Sequence, residues 1–455
     1  MINHDRRYDT SDFMRRERGG YSGKRIEALQ KLFVTLGVSA VVLGLVFLGM
    51  LIGRKRTAED LSGESNNIVG IASLDGTYET TTATEPYVIT EYLEDSAAAL
   101  AMWGPLEPAA NPVPHEHFPV RGIYLGPASN LEECFELAEN SQINTFVIDL
   151  KEQDGVLYDT TNELALETSV VYGYYNLSEV VQQCHEHGIR VIGRIVCFKD
   201  PNLAAAHPER AIRDSAGNVL QFNSEGGRAF LDPYNADNWE YLIQLAEEAI
   251  GRGVDEIQFD YIRFPTGGTV SGTEPYFGVE GTVPEKTEAI NRFVRTARVR
   301  IQDTLGVPMS ADVFGIILTS EYDGRNLGQD WMTVGLAGED SVCPMIYPSH
   351  YALGTVIGGI TFDKPDLYPY DMMIASLSAG SSAWYQEGYC TVRPYVQAFT
   401  AYYLGEGNYL EYDYDAINAQ IRAIQDMRLD EYILWNASVI YPEGNYGGND
   451  DPEDV

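Results

Sequence analysis

The sequence predicts an α/β protein built on a (β/α)8 TIM barrel, preceded by one N-terminal transmembrane helix and a disordered acidic tether. Short β-branched and aromatic runs recur eight times from Val120 onward, and each is followed by a helix-like segment. Near the N-terminus stand 22 consecutive uncharged, mostly apolar residues. Strands that alternate with amphipathic helices form parallel βαβ units, and eight such units favour a closed barrel over an open sheet.

The eight predicted strands cover residues 121–126, 145–151, 191–198, 255–265, 308–315, 340–348, 391–399 and 432–441. The segments between them carry helix start and stop signals: capping boxes at Ser129 with Glu132 and at Asn176 with Glu179, and C-cap glycines at Gly188, Gly253 and Gly306. The first predicted strand is not followed by G-x-G-x-x-G, which disfavours a dinucleotide-binding sheet.

The apolar run 32–53 is long enough to cross about 30 Å of hydrocarbon as a helix. A cleaved signal peptide and a buried core helix are the alternatives, but the run is too long for a signal sequence and Arg54 follows it at once. Residues 1–31 carry eight Lys and Arg, so the positive-inside rule predicts a cytoplasmic basic tail and an extracellular barrel. The protein is thus expected in the cell membrane, in contact with the lipid bilayer through one span.

Residues 54–117 are predicted to be a flexible acidic linker, because 57–119 hold eleven acids and no Lys or Arg. The apolar island 96–104 within this stretch is expected to pack transiently, and His115 and His117 are expected to face solvent. The barrel is predicted over 118–445, with an acidic tail at 446–455.

The charge balance excludes one large class of function. With 31 Lys and Arg against 67 Asp and Glu, the formal net charge is −36, so nucleic acid is not expected as a partner. The five cysteines are scattered without a C-x-x-C pair, which indicates neither a zinc cage nor a disulfide framework. No cofactor and no metal is predicted.

Chemistry in this fold belongs at the carboxyl ends of the strands. Asp260 ends the fourth predicted strand and Asp312 lies late in the fifth, so these two carboxylates are the predicted catalytic pair. One carboxylate would attack or stabilise the sugar cation while the other protonates the leaving oxygen, and adjacent strands suit the spacing of about 5 to 5.5 Å in retaining glycosidases. The alternative is structural, with each Asp a helix cap or a salt-bridge partner, as Asp260 would be with Arg263.

Other polar and aromatic side chains fall at the same rim, where rings can stack on sugars and polar groups can bind hydroxyls. Asp149 and Lys151 are equally well explained as a rim ion pair, and Arg194 and Gln397 as hydrogen-bonding residues of the inner layer. The predicted substrate-binding set is Asp149, Lys151, Arg194, Gln258, Tyr261, Arg263, Tyr347, His350, Gln397, Trp435 and Asn436.

Six strings occur in a fixed order: FVIDLKEQDG, FDYIRFP, SADVFG, CPMIYPSHY, RPYVQAFT and ILWNAS. Over about residues 118–445 they resemble a bacterial glycosyl hydrolase domain family of unknown substrate, related to amylase-like and other glycosidase barrels. The resemblance implies a (β/α)8 barrel with glycoside hydrolase activity, and it maps the nucleophile onto Asp260 and the acid/base onto Asp312. This chain departs from the amylase-like pattern in having Gln258 in place of Arg and Asp312 in place of Glu.

The expected function is therefore a membrane-anchored, extracytoplasmic glycoside hydrolase that acts on a polysaccharide or oligosaccharide. A non-catalytic carbohydrate-binding or envelope scaffold protein is the main alternative, favoured by the missing Glu. A metal-dependent deacetylase is disfavoured because the seven histidines are dispersed.

Overall fold

The computed structural model describes residues 93–168, 170–279 and 281–448. The predicted cytoplasmic tail and the predicted membrane span lie outside these residues. Across the described ranges, none of the helices has the length and apolar character that crossing a bilayer requires.

Eight parallel strands close into a barrel, because β1 pairs with β2 on one side and with β15 on the other. The barrel strands are β1 Arg121–Gly126, β2 Thr145–Glu152, β5 Arg190–Val196, β8 Glu256–Asp260, β9 Met309–Phe314, β10 Ser341–Ile346, β13 Thr391–Val392 with β14 Tyr395–Gln397, and β15 Tyr432–Trp435. The seventh strand is split where Pro394, which has no N–H to donate, follows Arg393. The predicted eight-stranded barrel is confirmed.

Three further strand pairs decorate the barrel. They are β3 Gly155–Tyr158 with β4 Val171–Tyr175, β6 Gln221–Phe222 with β7 Arg228–Ala229, and β11 Thr355–Ile357 with β12 Ile360–Phe362. β3 folds back antiparallel on β2, and β4 runs parallel to β3. The sheet therefore extends beyond the barrel at β2, which the sequence analysis did not predict.

Helices cover the outside of the barrel. They are α1 Ala97–Trp103, α2 Leu131–Glu139, α3 Glu163–Glu167, α4 Leu177–Glu186, α5 Pro201–Ala206, α6 Ala236–Gly251, α7 Lys286–Leu305, α8 Glu321–Leu327, α9 Trp331–Val334, α10 Pro369–Gly380 and α11 Tyr414–Asp426. Asn176 caps α4 and Gly306 ends α7 in the left-handed conformation, as predicted. The cap of α2 is Asn130 rather than Ser129.

The inside of the barrel is layered by polarity. An apolar cluster fills its middle, including Val147, Ile192 and Ile433. Towards the amino ends of the strands, Arg393 is fully buried and pairs with Glu256 at 2.6 Å and Glu431 at 2.7 Å. This buried network closes the amino end, so substrate access is left to the carboxyl end.

The end of the predicted linker packs on the barrel. We call residues 93–117 the strap. Trp103 of α1 stacks on Tyr234 and Trp239, with ring centroids 6.3 and 5.0 Å apart, and Asp95 pairs with Arg292 and Arg295 of α7. The strap differs from the flexible stretch expected from its composition, because Trp103 and Asp95 find partners on or beside α6 and α7, while Leu100, Met102 and Val113 are exposed.

The strap ends against the amino end of the barrel. His117 bridges Asp340 at 2.8 Å and Glu431 at 2.5 Å, and His115 lies 3.2 Å from Asp340. Hydrogen bonds to these two carboxylates raise the pKa of His117 to about 10. Both histidines are thus bound to the domain; His117 is exposed as expected, whereas His115 is half-buried, which corrects the expectation for that residue.

The predicted acidic tail also begins with packed residues. The hydroxyl of Tyr432 donates to the carbonyl of Tyr446, which is fully buried, and Gly448 exchanges hydrogen bonds with Asn418 of α11. Residues 449–455 lie outside the described part of the chain.

Candidate active site

Arg194 stands at the centre of the carboxyl end of the barrel. Its Nη1 donates to Asp149 Oδ1 at 2.5 Å and to Glu152 Oε1 at 2.8 Å, and its Nη2 donates to Asp260 Oδ2 at 2.6 Å. In the strand register Asp149 pairs with Arg194, and Arg194 pairs with Gln258, two residues before Asp260, so the Arg194 side chain extends along the barrel to reach Asp260. One guanidinium, with five donors in a fixed plane, therefore holds three carboxylates.

Asp260 is fixed from both sides. Oδ2 accepts from Nε of Arg194 at 3.1 Å as well as from Nη2, and Oδ1 accepts from the backbone N–H of Tyr261 at 2.5 Å. Tyr261 adopts a φ of 51°, a left-handed conformation that costs free energy for a residue with a bulky side chain. This strained residue turns its N–H back onto the carboxylate that precedes it.

Asp312 has a different environment on the neighbouring strand β9. Its side chain is 1% exposed, and neither carboxyl oxygen has a hydrogen-bond partner among the described residues. Burial, and next the charge of Asp260, raise the pKa of Asp312 well above its usual range. Burial and the neighbouring charge therefore both favour the protonated form of Asp312.

Asp260 and Asp312 lie close together. Nε of Arg194 is 3.1 Å from Asp260 Oδ2 and 3.9 Å from Asp312 Oδ2, so these oxygens are no more than about 7 Å apart. Glycosidases place their two carboxyls at about 5 to 5.5 Å or about 6.5 to 9.5 Å. The structure thus brings the hydrogen-bonded carboxylate of Asp260 and the buried carboxyl of Asp312 within about 7 Å of each other, an upper limit that includes the shorter glycosidase spacing.

Asp149 is buried beside this pair. The hydroxyl of Tyr124 donates to Asp149 Oδ2 at 2.5 Å, and the hydroxyl of Tyr175 donates to the Asp149 carbonyl at 2.6 Å. Burial raises the pKa of Asp149, against the attraction of Arg194, which lowers it. Asp149 therefore connects Arg194, at the carboxyl end of the barrel, with Tyr175 of β4.

Lys151 lies apart from the site. Its ammonium pairs with Asp200 at 2.9 Å and donates to the carbonyl of Val196 at 2.8 Å, and its side chain is fully buried. The register of β2 against β5 shifts between Asp149 and Lys151, and this bulge separates two residues that regular alternation would place on one face. In the structure Lys151 is a buried ion-pair partner, and neither an Asp149–Lys151 pair nor a Lys151 side chain at the rim is seen within the described residues.

Aromatic rings form a wall next to the carboxyls. The ring of Trp435 lies 5.9 Å from Tyr124, 5.6 Å from Tyr347 and 5.2 Å from Phe399, and Trp435 is partly exposed. His350 is exposed and meets Tyr347 edge-on at 5.1 Å. Since Tyr124 also donates a hydrogen bond to Asp149, this wall lies beside the carboxylates that surround Arg194. It offers a ring face on which a sugar can stack.

Three predicted contacts have structural partners instead. Gln258 is fully buried below Asp260 and accepts from the hydroxyl of Tyr395 at 2.6 Å. Gln397 accepts from the N–H of Ser349 and donates to Asp366, and Asn436 donates to two carbonyls and accepts from the N–H of Ser438. Gln258 thus joins β8 to β14, whereas Gln397 and Asn436 position loops around the site.

A second ion cluster lies behind Tyr261. Arg263 pairs with Glu225 through both nitrogens of its fork, at 2.8 and 3.1 Å, and Lys199 lies 3.2 Å from the same carboxylate. The ring of Tyr261 lies 4.9 Å from the Arg263 guanidinium and 5.1 Å from the Lys199 ammonium. Arg263 thus pairs with Glu225 rather than with Asp260, and the cluster supports the strained residue.

Sequence reasoning missed Glu152, Glu225 and Lys199. The position of Glu152 could have been predicted from the sequence, because Asp154-Gly155 is a hairpin signal that places Glu152 on the rim just before the turn. Glu225 and Lys199 come from separate loops, and nothing local in their sequence predicts that they meet. Among the described residues, three or more His, Cys, Asp or Glu side chains do not come together in a group that could hold a metal ion.

Known structures resemble parts of this chain. A hypothetical protein from Ruminiclostridium thermocellum ATCC 27405 is 39% identical, covering 42% of this chain and 97% of its own, with a TM-score of 0.38. An alpha-galactosidase from Thermus thermophilus is 14% identical, covering 72% of this chain and 60% of its own, with a TM-score of 0.43. Alpha-L-fucosidase isoenzyme 2 from Paenibacillus thiaminolyticus is 15% identical, covering 74% of this chain and 47% of its own, with a TM-score of 0.44.

The chain therefore spans less than two thirds of the length of either glycosidase. No curated protein matches the chain. Residues 120–441, which include the whole barrel and every candidate site residue, match the family model described as "Putative glycosyl hydrolase domain". Because this match covers well over half of the sequence, the chain belongs to that glycosyl hydrolase family.

Proposed function

We propose that the protein is a membrane-anchored, extracytoplasmic glycoside hydrolase that cleaves a polysaccharide through Asp260 and Asp312. The observation that carries the proposal is the contrast between these two carboxyls. Asp260 accepts three hydrogen bonds, whereas Asp312 is buried without a hydrogen-bond partner among the described residues, and burial raises the pKa of Asp312.

In the proposed reaction, Asp312 gives its proton to the glycosidic oxygen as the bond from that oxygen to the anomeric carbon breaks. Asp260 attacks the anomeric carbon directly, or accepts a proton from a water that attacks it. In the first case Asp312, now ionised, takes a proton from the water that releases the sugar from Asp260. Arg194 keeps the Asp260 carboxylate oriented, and the ring of Trp435 offers a face for the sugar.

The proposal is tested with p-nitrophenyl glycosides of the common pyranoses and with soluble polysaccharides, using the full-length chain and its Asp260→Asn variant. The parent chain should release p-nitrophenol or reducing sugar from at least one substrate, and the variant should not. Absence of turnover by the parent on every substrate would overturn the catalytic assignment.

One observation favours a non-catalytic carbohydrate-binding protein as the second candidate. The Asp312 side chain is 1% exposed, and two nitrogens of Arg194 neutralise Asp260, so both carboxyls resemble structural groups. Retention on a polysaccharide without turnover, unaffected by Asp260→Asn, would support this candidate.

Anchoring is proposed from the sequence of residues 32–53 and the eight cations before them. A chain that begins after residue 53 should move from the membrane fraction to the soluble fraction. In intact protoplasts, added protease should digest the barrel of the full-length chain. Protection of the barrel would reverse the proposed orientation.

A further inference from the structure

Two exposed tyrosines stand side by side on the strand that extends the sheet beyond the barrel. Tyr172 is 45% exposed and Tyr174 is 64% exposed, and their rings stack at 5.3 Å with 22° between the planes. They flank Gly173, whose φ of 57° interrupts regular alternation, and the stacking itself places both rings on one side of β4, while the hydroxyl of Tyr175 reaches Asp149. We call Tyr172 and Tyr174 the tyrosine platform.

The platform lies on the carboxyl end of the barrel. β2 runs towards this end, β3 returns from it, and β4 is parallel to β3, so β4 begins beside the turn between β2 and β3. The N–H of Val156, just after this turn, donates to the carbonyl of Val170, just before β4, at 2.7 Å. Tyr172 therefore stands at the same rim as the catalytic carboxyls.

Two contacts join the platform to the active site. Tyr175, next to Tyr174, donates its hydroxyl to the carbonyl of Asp149 at 2.6 Å. The turn beside Tyr172 follows Glu152, which accepts from Arg194. At about 3.3 Å per residue, Tyr172 lies at most about 10 Å from Tyr175, and the irregularity in β4 shortens this span, so the platform lies beside the candidate cleavage site.

Polar groups flank the platform. Asp154 at the β2–β3 turn pairs with Arg228 at 2.5 Å, and both side chains are more than a third exposed. Val156, two residues after Asp154, pairs with Val171, the neighbour of Tyr172, so this ion pair lies at the same edge of the sheet as the platform. Flat rings beside exposed donors and acceptors are the combination that binds a sugar, with ring faces against its C–H groups and polar groups on its hydroxyls.

We propose that the tyrosine platform is an outer binding site for the chain of a polysaccharide whose scissile bond lies between Asp260 and Asp312. This inference rests on the proposed glycoside hydrolase function and specifies its substrate as a polymer. A protein partner fits less well, because a stable protein interface buries about 800 Å² on each side and a tyrosine offers about 150 to 250 Å².

The test separates binding from turnover. Full-length chains carrying Asp260→Asn, which still bind but should not cleave, are run through native gels containing amylose, galactomannan, xylan, β-glucan or glycol chitin. Retardation measures the affinity for each polymer. Introducing Tyr172→Ala with Tyr174→Ala should weaken the affinity for the retarding polymer at least tenfold, whereas Tyr172→Phe with Tyr174→Phe should retain it, because the ring faces and not the hydroxyls bind.

Tyr385→Ala is the matched control. Tyr385 is 77% exposed but lies in the loop that leads into β13, at the amino end of the barrel, so this change should leave retardation unaltered. In chains with Asp260 intact, the double alanine change should leave the hydrolysis of an aryl monosaccharide unchanged while it lowers kcat/KM on the polymer.

Equal retardation of the double alanine variant and the parent would overturn the proposal that the tyrosine platform binds polysaccharide, even if hydrolysis is observed. Absence of retardation by any polymer would also overturn it, whatever the result with aryl glycosides. If the parent is a dimer that the double alanine change converts to a monomer, the tyrosines bind a second copy and the proposal fails. Failure of turnover with intact, tyrosine-dependent retardation would instead remove the hydrolase assignment and leave the binding site.

Discussion

Asp260 and Asp312 approach the same nitrogen of Arg194 from adjacent strands, at 3.1 and 3.9 Å, and within the described residues a hydrogen bond joins it to Asp260 alone. Asp260 is thus hydrogen-bonded to a cation, whereas burial raises the pKa of Asp312 well above its usual range. Acid/base chemistry needs two such groups in opposite protonation states at one pH.

Asp260→Asn should lower kcat by about 10³-fold or more, because the amide keeps the shape of the side chain but cannot attack or accept a proton. The measurement is initial rate on the best aryl glycoside, with thermal unfolding as the check on folding. Turnover at the parent rate, or loss of the folded state, would make Asp260 a structural residue.

Asp312→Asn should slow a natural glycoside far more than a p-nitrophenyl glycoside, since an activated leaving group needs little protonation. Because burial raises the pKa of Asp312, the parent should lose activity on the alkaline side as this carboxyl ionises. The alkaline limb of kcat/KM should move or vanish in the variant. Equal losses on both substrates with an unchanged pH profile would assign the proton donor to another group.

Arg194→Met should lower the free energy of unfolding by about 3 to 5 kcal/mol, because it leaves the buried carboxylates of Asp149 and Asp260 without their cation. Arg325→Met is the control, since the Arg325–Glu321 pair has both side chains at least 70% exposed and its loss should cost less than about 1 kcal/mol. Urea denaturation measures both. Similar losses in the two variants would show that Arg194 is not the main counter-ion.

A fragment of residues 93–448 should unfold at a higher temperature than one of residues 118–448, because the shorter fragment lacks the strap. Trp103→Ala in the longer fragment should cost about 2 kcal/mol through lost ring packing, whereas Met102→Ala on the same helix, with Met102 38% exposed, should cost much less. Calorimetry of the four proteins is the measurement. Identical unfolding temperatures for the two fragments would show that the strap adds no stability.

Glu339→Gln should stabilise the protein increasingly as the pH rises from about 5 to 8. Glu339 is buried, its carboxyl oxygens have no hydrogen-bond partner among the described residues, and burial raises its pKa to about 8. Above pH 4.5 the unfolded chain releases this proton while the folded chain keeps it, so the parent loses up to about 1.4 kcal/mol per pH unit until the folded group ionises. Glu321→Gln, at an exposed site, should show no such trend in urea titrations at several pH values.

Local sequence patterns predicted much of the barrel. The predicted strand 121–126 agrees at both ends and 145–151 to within one residue, because β-branched and aromatic residues fill these strands and turn residues follow them. The strap was missed because its composition resembles that of a linker, and its stability comes from distant partners such as Trp239 and Arg292. Local composition does not contain that information.

Some residues of the candidate site could likewise be predicted from local sequence, and others could not. Asp260 and Asp312 were predicted from their positions at strand ends, and the register of neighbouring strands brings them together. The placement of Lys151 could not be predicted from its local sequence, because a bulge in β2 changes the face of the strand that Lys151 occupies. The role of Arg194 as common partner of several carboxylates depends on three strands at once, which no single segment specifies.

Three carboxylates on one guanidinium leave the mouth of the barrel with an excess of negative charge, on a chain whose formal net charge is already −36. An incoming uronate, sulfate or phosphate ester therefore meets repulsion that a neutral hexose or an amino sugar does not. Glycans bearing acidic substituents should bind weakly at low ionic strength, and their affinity should rise as salt is added. The rim would thus select substrates by their charge.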